Sequence, residues 1–218
     1  MEKKVFNLIV VDESGSMSII RKQAFEGLNE TLETVKKMQE TNPDMEQRIT
    51  LMTFDSSHKN FIYDNKSARE ADKLSWNQYN PGGCTPLYDA IGLGISKVNA
   101  LAGKDDEVLV TIITDGEENC SIEYSLEMIK NLIEKLKEQN WVFTLIGTDN
   151  LDVESMAQQM SIDDHLSFKE DAAGTREMFA KERDARMSWN CDLAVYACLA
   201  PEEAAERKKS RRGRFFKQ

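Results

Sequence analysis

An apolar run from Val5 to Val11 stops at Asp12-Glu13-Ser14-Gly15-Ser16. An uncharged stretch of that length, bounded by polar residues, reads as a strand buried on both faces, and such strands belong to parallel sheets. One carboxylate and two hydroxyls then occupy alternate positions on the turn that follows. In an open α/β sheet, ligands bind at the carboxyl ends of the strands. Asp12, Ser14 and Ser16 therefore suggest a hard-cation site. Ser, Asp and Gly are also the usual turn and helix-cap residues. The reading stands only if other strand ends supply matching oxygen ligands.

The chain beyond alternates. Ala24, Phe25, Leu28, Leu32, Val35 and Met38 recur at helical spacing, which predicts a long amphipathic helix over 19–40, ended by Thr41-Asn42-Pro43-Asp44. Arg48–Phe54 reads as a second strand. Asn60–Asp64 reads as a short antiparallel edge strand after a brief polar loop. Residues 65–80 show only weak periodicity and read as irregular or a short helix. Pro81-Gly82-Gly83-Cys84-Thr85-Pro86 predicts a tight turn, with Thr85 as helix cap and Pro86 at the first helical position. Leu87 to Leu101 supplies the apolar stripe of that helix. Glu107–Thr114 is the most buried-looking strand, and it runs into Asp115-Gly116-Glu117-Glu118. Ser121 is placed to cap the next helix. A strand at Trp141–Gly147, a helix at Asp152–Met160 and a strand at His165–Phe168 complete the series. The expected fold class is α/β: a doubly wound, mostly parallel sheet with one short antiparallel edge strand. Asp12, Thr85 and Asp115 all fall where a strand leads toward a helix, on one edge of that sheet.

Composition narrows the function classes. The chain has 218 residues, 40% hydrophobic and 30% charged, enough for one domain with a large core and an extension. No apolar run approaches the roughly 20 residues of a membrane span. The first residues, MEKKVFN, lack the apolar stretch of a signal peptide. Cys84, Cys120, Cys191 and Cys198 form neither a CxxC pair nor a zinc spacing. They read as reduced thiols, and the expected location is cytoplasmic. The net charge of −10 is unevenly spread: seven basic residues and no acid lie in 207–218, so residues 1–206 carry −17. An acidic body repels nucleic acid and attracts cations. Nucleic acid is an expected partner only through the basic tail. The expected organisation is a domain over 1–180, a helical extension over 181–206 and a disordered basic arm over 207–218.

Three separated motifs now agree. Asp12-x-Ser14-x-Ser16, then Thr85 after a Gly-Gly turn, then Asp115 in Thr-Asp-Gly after a strand, resemble the von Willebrand factor A family and its metal-ion-dependent adhesion site, DxSxS…T…D. GGCTPLYDAI and VTIITDGEEN look like that family's segments around the Thr and the second Asp. The resemblance covers roughly residues 5–180. It implies Mg²⁺, or Mn²⁺ and Ca²⁺ when supplied, held by Asp12, Ser14, Ser16, Thr85 and Asp115. It also implies a protein partner that offers a Glu or Asp carboxylate to the ion. Intracellular bacterial relatives suggest an AAA+ ATPase or a stress-response component as that partner. The residues speak independently for such chemistry: neutral hydroxyl ligands leave a cation electron-poor, which favours an incoming anionic oxygen.

The rival of another class is a haloacid dehalogenase-like phosphatase, which also places an Asp after the first strand and uses Mg²⁺. Those enzymes use DxD, and here the second Asp is Ser14, so their general acid is missing. A P-loop is excluded because no GxxxxGK[ST] occurs. Glu117 and Glu118 read as a solvated loop or as favourable charges before a helix N-terminus. His58 and His165 lack metal spacing. Cys84 and Cys120 are placed to approach each other at the site rim, though unpaired thiols are the plainer expectation.

Overall fold

The computed structural model describes residues 3–217. Its strands are β1 (Lys3–Asp12), β2 (Met45–Phe54), β3 (Lys59–Ser67), β4 (Glu107–Thr114), β5 (Trp141–Thr148) and β6 (Asp164–Phe168). They form one sheet in the order β3-β2-β1-β4-β5-β6. Every neighbouring pair is parallel except β2–β3. The helices are α1 (Arg21–Thr41), α2 (Leu87–Asn99), α3 (Leu126–Lys137), α4 (Val153–Gln159), α5 (Ala172–Tyr196) and α6 (Pro201–Arg211). Up to β6, this is the alternation the sequence predicts.

The period-2 alternation of β1 sorts the two faces. Phe6, Leu8 and Val10 pack with α2, α3 and α4 through residues such as Ile91, Ile95, Ile129, Ile133 and Ala157. Ile9 and Val11 pack on the other side with Leu28, Leu32 and Val35 of α1 and with Met178 and Phe179 of α5. Gly27 permits this second layer to close: a Cβ there would stand 2.0 Å from the Phe179 ring.

That second face also holds a buried polar network. Arg186 of α5, with its side chain fully buried, pairs with Glu182 at 2.6 Å. It donates to Asn7 Oδ1 at 2.7 Å and to Thr111 Oγ1 at 2.8 Å. Asn7 donates to Gln47, and Gln47 donates to Asn190. Three strands and α5 are thus tied together, although Glu182 Oε2 is buried without a partner.

Several local expectations need correction. β3 runs on to Ser67, past the polar residues that suggested an earlier end. Register shifts opposite Ile49–Met52 and a left-handed Asn65 (φ 51°) accommodate the extra length, as bulges do at sheet edges. Two 3-10 turns, Ala68–Glu70 and Trp76–Gln78, follow. Pro86, not Thr85, holds the cap position of α2. Ser125, not Ser121, caps α3 by accepting from Met128 N–H.

The division expected at 180 falls inside α5, which is unbroken from Ala172 to Tyr196. The expected disordered arm is folded. Its first residues belong to α6, and Phe215 is 2% exposed among Val5, Leu109, Trp189 and Leu193. Asp164 accepts from Phe215 N–H at 2.6 Å and from Gly213 N–H at 3.2 Å. Lys208 pairs with Glu107, and Arg212 pairs with Glu138 at 3.1 Å. The cations that read as a solvated tail lie against acids at the amino-terminal edge of the sheet. No helix among the described residues is long and apolar enough to cross a membrane.

Candidate metal centre

Parallel pairing of β1 with β4 brings Asp12 and Asp115 to the same edge, each at or just past the end of its strand. Around them three loops interlock. Ser14 N–H donates to Asp12 Oδ1 at 2.7 Å, which closes the first turn. The Ser14 and Ser16 hydroxyls lie 3.2 Å apart. Ser16 Oγ donates to Asp115 Oδ1 at 2.7 Å and so joins the first loop to the third. The second loop is joined by Gly15 N–H to Gly83 O at 3.1 Å and by Gly82 N–H to Glu13 O at 2.8 Å. Gly83 sits at φ +72°, where a Cβ would also meet Ser56 Oγ at 2.5 Å.

Thr85 enters from this second loop. A Cβ built on Gly116 would lie 3.0 Å from Thr85 Oγ1 and 3.8 Å from Asp12 Oδ2. Those two oxygens therefore face the same small space beside Gly116. Because α2 begins after Pro86, the Thr85 hydroxyl is not spent on capping. The structure thus brings all five sequence-singled residues to one edge, with Asp12, Ser14, Ser16 and Asp115 linked by hydrogen bonds.

The electrostatics of the cluster call for a cation. Burial raises the pKa of Asp12, with hydrogen bonds from Thr114 and Ser14 partly offsetting it. Burial also raises Asp115 to about 6; the Ser16 hydrogen bond opposes that, while Asp12 and Glu170 add to it. Asp115 Oδ2 is buried with no hydrogen-bond partner. A buried carboxylate oxygen left unpaired is costly, and a hard cation satisfies it. Two carboxylates and three hydroxyls fit Mg²⁺, Mn²⁺ or Ca²⁺ better than a soft metal. Among the described residues, no three His, Cys, Asp or Glu side chains cluster as an alternative site.

Sequence reasoning missed the supports. Thr114 Oγ1 donates to Asp12 Oδ2 at 2.6 Å. The buried Tyr79 donates to the Asp12 carbonyl at 2.9 Å. Glu118 is not a solvated loop residue. It accepts from the N–H groups of Tyr88, Cys120 and Ser121 and from the Ser121 hydroxyl, at 2.6 to 3.0 Å. Asp89 accepts from the N–H groups of Ile122, Glu123 and Tyr124. Burial works against its charge, yet those N–H groups hold the Asp89 pKa below its usual value. Thr114 had a visible signal, since it immediately precedes Asp115. The others bind backbone groups that only the fold brings near. Asp89 anchors the backbone of Ile122, whose side chain is 90% exposed.

Cys84 and Cys120 each flank a residue of the junction between the second and third loops. Thr85 N–H donates to Asn119 Oδ1 at 2.9 Å, and Asn119 N–H donates to Thr85 O at 3.2 Å. Burial first, then Cys84 and Glu118, push the Cys120 thiol up.

A doubly wound sheet with an oxygen-rich site at its strand ends defines a class of Rossmann-like domains. The von Willebrand factor type A domain model matches residues 8–181, and the chain belongs to that family. Family membership displaces the dehalogenase alternative. No curated protein matches the chain in sequence. Among solved structures, the SpRpn10 VWA domain is similar at 15% identity and TM-score 0.56, with 84% of this chain and 95% of that one covered. The vWF domain of the type V pili tip protein Mfa5 from Porphyromonas gingivalis is similar at 10% identity and TM-score 0.56, covering 83% and 95%. Proximal thread matrix protein 1 from the mussel byssus, in a form with a zinc-occupied MIDAS motif, gives 12% identity and TM-score 0.55, covering 83% and 46%. The chain spans 61% of one PilB minor pilin structure from Streptococcus sanguinis and 60% of another. At these identities the likeness is one of fold.

Proposed function

We propose that this chain binds a divalent cation, Mg²⁺ foremost, through Asp12, Ser14, Ser16, Thr85 and Asp115, and uses it to hold a carboxylate of a partner protein. The observation that carries this reading is the Asp115 carboxylate, with Oδ1 fixed by Ser16 and Oδ2 buried and unpartnered. A cation bound there supplies an electrophilic position for an anionic oxygen. The chain's own residues orient that position. Asp12 is fixed by Ser14 N–H and Thr114, Ser16 positions Asp115, and Thr85 follows the Gly82-Gly83 turn. Nothing in this chemistry needs a nucleophile or a general base.

Four cysteines without disulfide partners suit a cytoplasmic protein. A cytoplasmic partner such as an AAA+ ATPase or a stress-response component belongs to the same proposal. The test is calorimetry on the folded chain with Mg²⁺, Mn²⁺, Ca²⁺ and Zn²⁺, followed by capture of partners with and without chelator. Saturable Mg²⁺ binding lost in Asp12→Ala is the expected result. Absence of any divalent binding at millimolar concentration would sink the reading.

A further inference from the structure

We propose that the cavity beneath α6 is a second binding site, for a small flat aromatic molecule that carries one carboxylate. It lies at the opposite end of the sheet from the metal centre and does not rest on the function proposed above.

The cavity holds about 310 Å³, at the small end of the range of about 300–1,000 Å³ common for ligand pockets. α6 and the residues after it close it over the starts of β4 and β5, where Glu107 and Trp141 stand. Its apolar wall comes from both packing layers. Trp141 and Phe143, in the layer of α3 and α4, have stacked rings with centroids 5.9 Å apart and planes at 20°. Trp189 and Leu193 of α5, with Phe215, belong to the separate cluster around Val5 and Leu109. Walls of indole and phenyl groups suit a flat aromatic body, which can stack on them or meet their edges.

The charged lining selects the other half of the ligand. Its acids are already engaged. Glu107 pairs with Lys3 at 2.8 Å and with Lys208, Glu138 with Arg212 at 3.1 Å, and Asp163 with Lys137 at 2.6 Å. Asp164 accepts from Gly213 and Phe215 N–H. The cations are not all engaged. Lys209 lines the cavity and makes no ion pair among the described residues. Arg211 pairs with Asp192 and donates to Ser188 Oγ at 3.2 Å, yet its Nε is buried with no partner. Burial pulls the Arg211 pKa down, the mark of a guanidinium short of a compensating anion. One unpaired positive charge and two unspent donors match a single carboxylate with its two oxygens. A phosphate monoester brings about two charges and three acceptor oxygens, more than this lining can answer.

The test titrates 2-naphthoate into the full chain by calorimetry, in chelator, so that no cation at the Asp12 and Asp115 loops can hold the carboxylate. 2-Naphthylmethanol and 2-naphthyl phosphate are the comparisons. One naphthoate per chain is expected. It should bind about tenfold more tightly than the alcohol, which lacks the charge-assisted hydrogen bonds, and more tightly than the phosphate ester. Lys209→Gln should raise the naphthoate Kd severalfold at unchanged melting temperature. Ala205→Trp sets a large side chain on a residue of α6 that lines the cavity, and should abolish binding. No saturable binding at millimolar naphthoate, equal binding of the alcohol, or tighter binding of the phosphate ester overturns the inference. So does an unchanged naphthoate Kd in Lys209→Gln, the variant that decides should Ala205→Trp fail to fold.

Discussion

Ser16 Oγ donates to Asp115 Oδ1 at 2.7 Å across 99 residues of sequence. That bond ties the loop after β1 to the loop after β4, and it leaves the other Asp115 oxygen buried and unpartnered. A short polar turn and a distant strand end thereby become one site, whose charge is unbalanced until a cation arrives.

The imbalance has a pH signature. Asp115 titrates at about 6 in the folded chain, raised from 3.8 chiefly by burial. A raised carboxyl pKa means that the unfolded chain loses its proton first as pH rises. Asp115 therefore erodes stability between its unfolded and folded pKa values, and the loss is complete above about 6. In chelator, Asp115→Asn is expected to melt higher than wild type at pH 7, with the advantage gone below pH 4. The same variant loses the rise in melting temperature that Mg²⁺ gives wild type by mass action. Equal wild-type and Asp115→Asn melting temperatures in chelator at pH 7 would contradict this.

Thr85 separates ligation from capping. Pro86 holds the cap position of α2, so the Thr85 hydroxyl has no capping role to lose. Thr85→Ala is expected to cost about 1 kcal/mol, since a methyl group is lost from a buried site though no cap goes, and to weaken Mg²⁺ binding. Thr85→Ser retains the hydroxyl and should bind like wild type. Calorimetry and thermal melts on the three proteins decide it; a Thr85→Ala that binds Mg²⁺ as well as Thr85→Ser removes Thr85 from the ligand set.

Arg186 is expected to be among the most sensitive positions away from the loops. Arg186→Ala strands the buried Glu182 carboxylate and the Asn7 and Thr111 acceptors, at about 3–5 kcal/mol. Replacing Arg186 and Glu182 together by apolar residues of similar volume should cost far less, because no buried charge is then left alone. Denaturant titration of the single and double variants checks the pair; similar losses in both would show that packing, not charge pairing, sets the cost.

The end of the chain is structural. Phe215 fills a site beside Trp189 and Leu193, so Phe215→Ala should cost about 3 kcal/mol. Deleting residues 207–218 should cost at least as much, since it also removes the bonds to Asp164 and Glu107. Unchanged thermal stability after deletion would show that the segment is not docked in solution.

Those examples mark what the sequence discloses. Strands and most helices are legible because burial imposes a local period, and β1 even sorts its own faces. The five candidate ligands are legible because each lies in a short motif at a strand end. The rest depends on distant partners. Nothing in the sequence singles out Arg186 and Glu182; their role appears only when Asn7 and Thr111 are brought beneath them. Glu118 reads as a solvated loop acid, and Asp89 is not singled out at all, whereas folded both collect backbone N–H groups from the loop after β4. A run of Arg and Lys reads as solvated chain, and nothing local reveals that Glu107, Glu138 and Asp164 wait for it.

The placement of α6 gives the molecule polarity. The carboxylates of the candidate site lie at the carboxyl ends of the strands, while Lys208, Arg211 and Arg212 lie by the amino-terminal starts of β4, β5 and β6. Over the eight residues of β4 that is a separation of about 26 Å at the usual rise per residue, well beyond the screening length of about 8 Å at physiological salt. The two ends therefore differ in what they leave open: at α6 Lys208 and Arg212 are spent on Glu107 and Glu138, whereas the opposite loops keep a carboxylate oxygen with no partner. Whatever docks on those loops leaves the α6 end, and the ion pairs that close it, untouched.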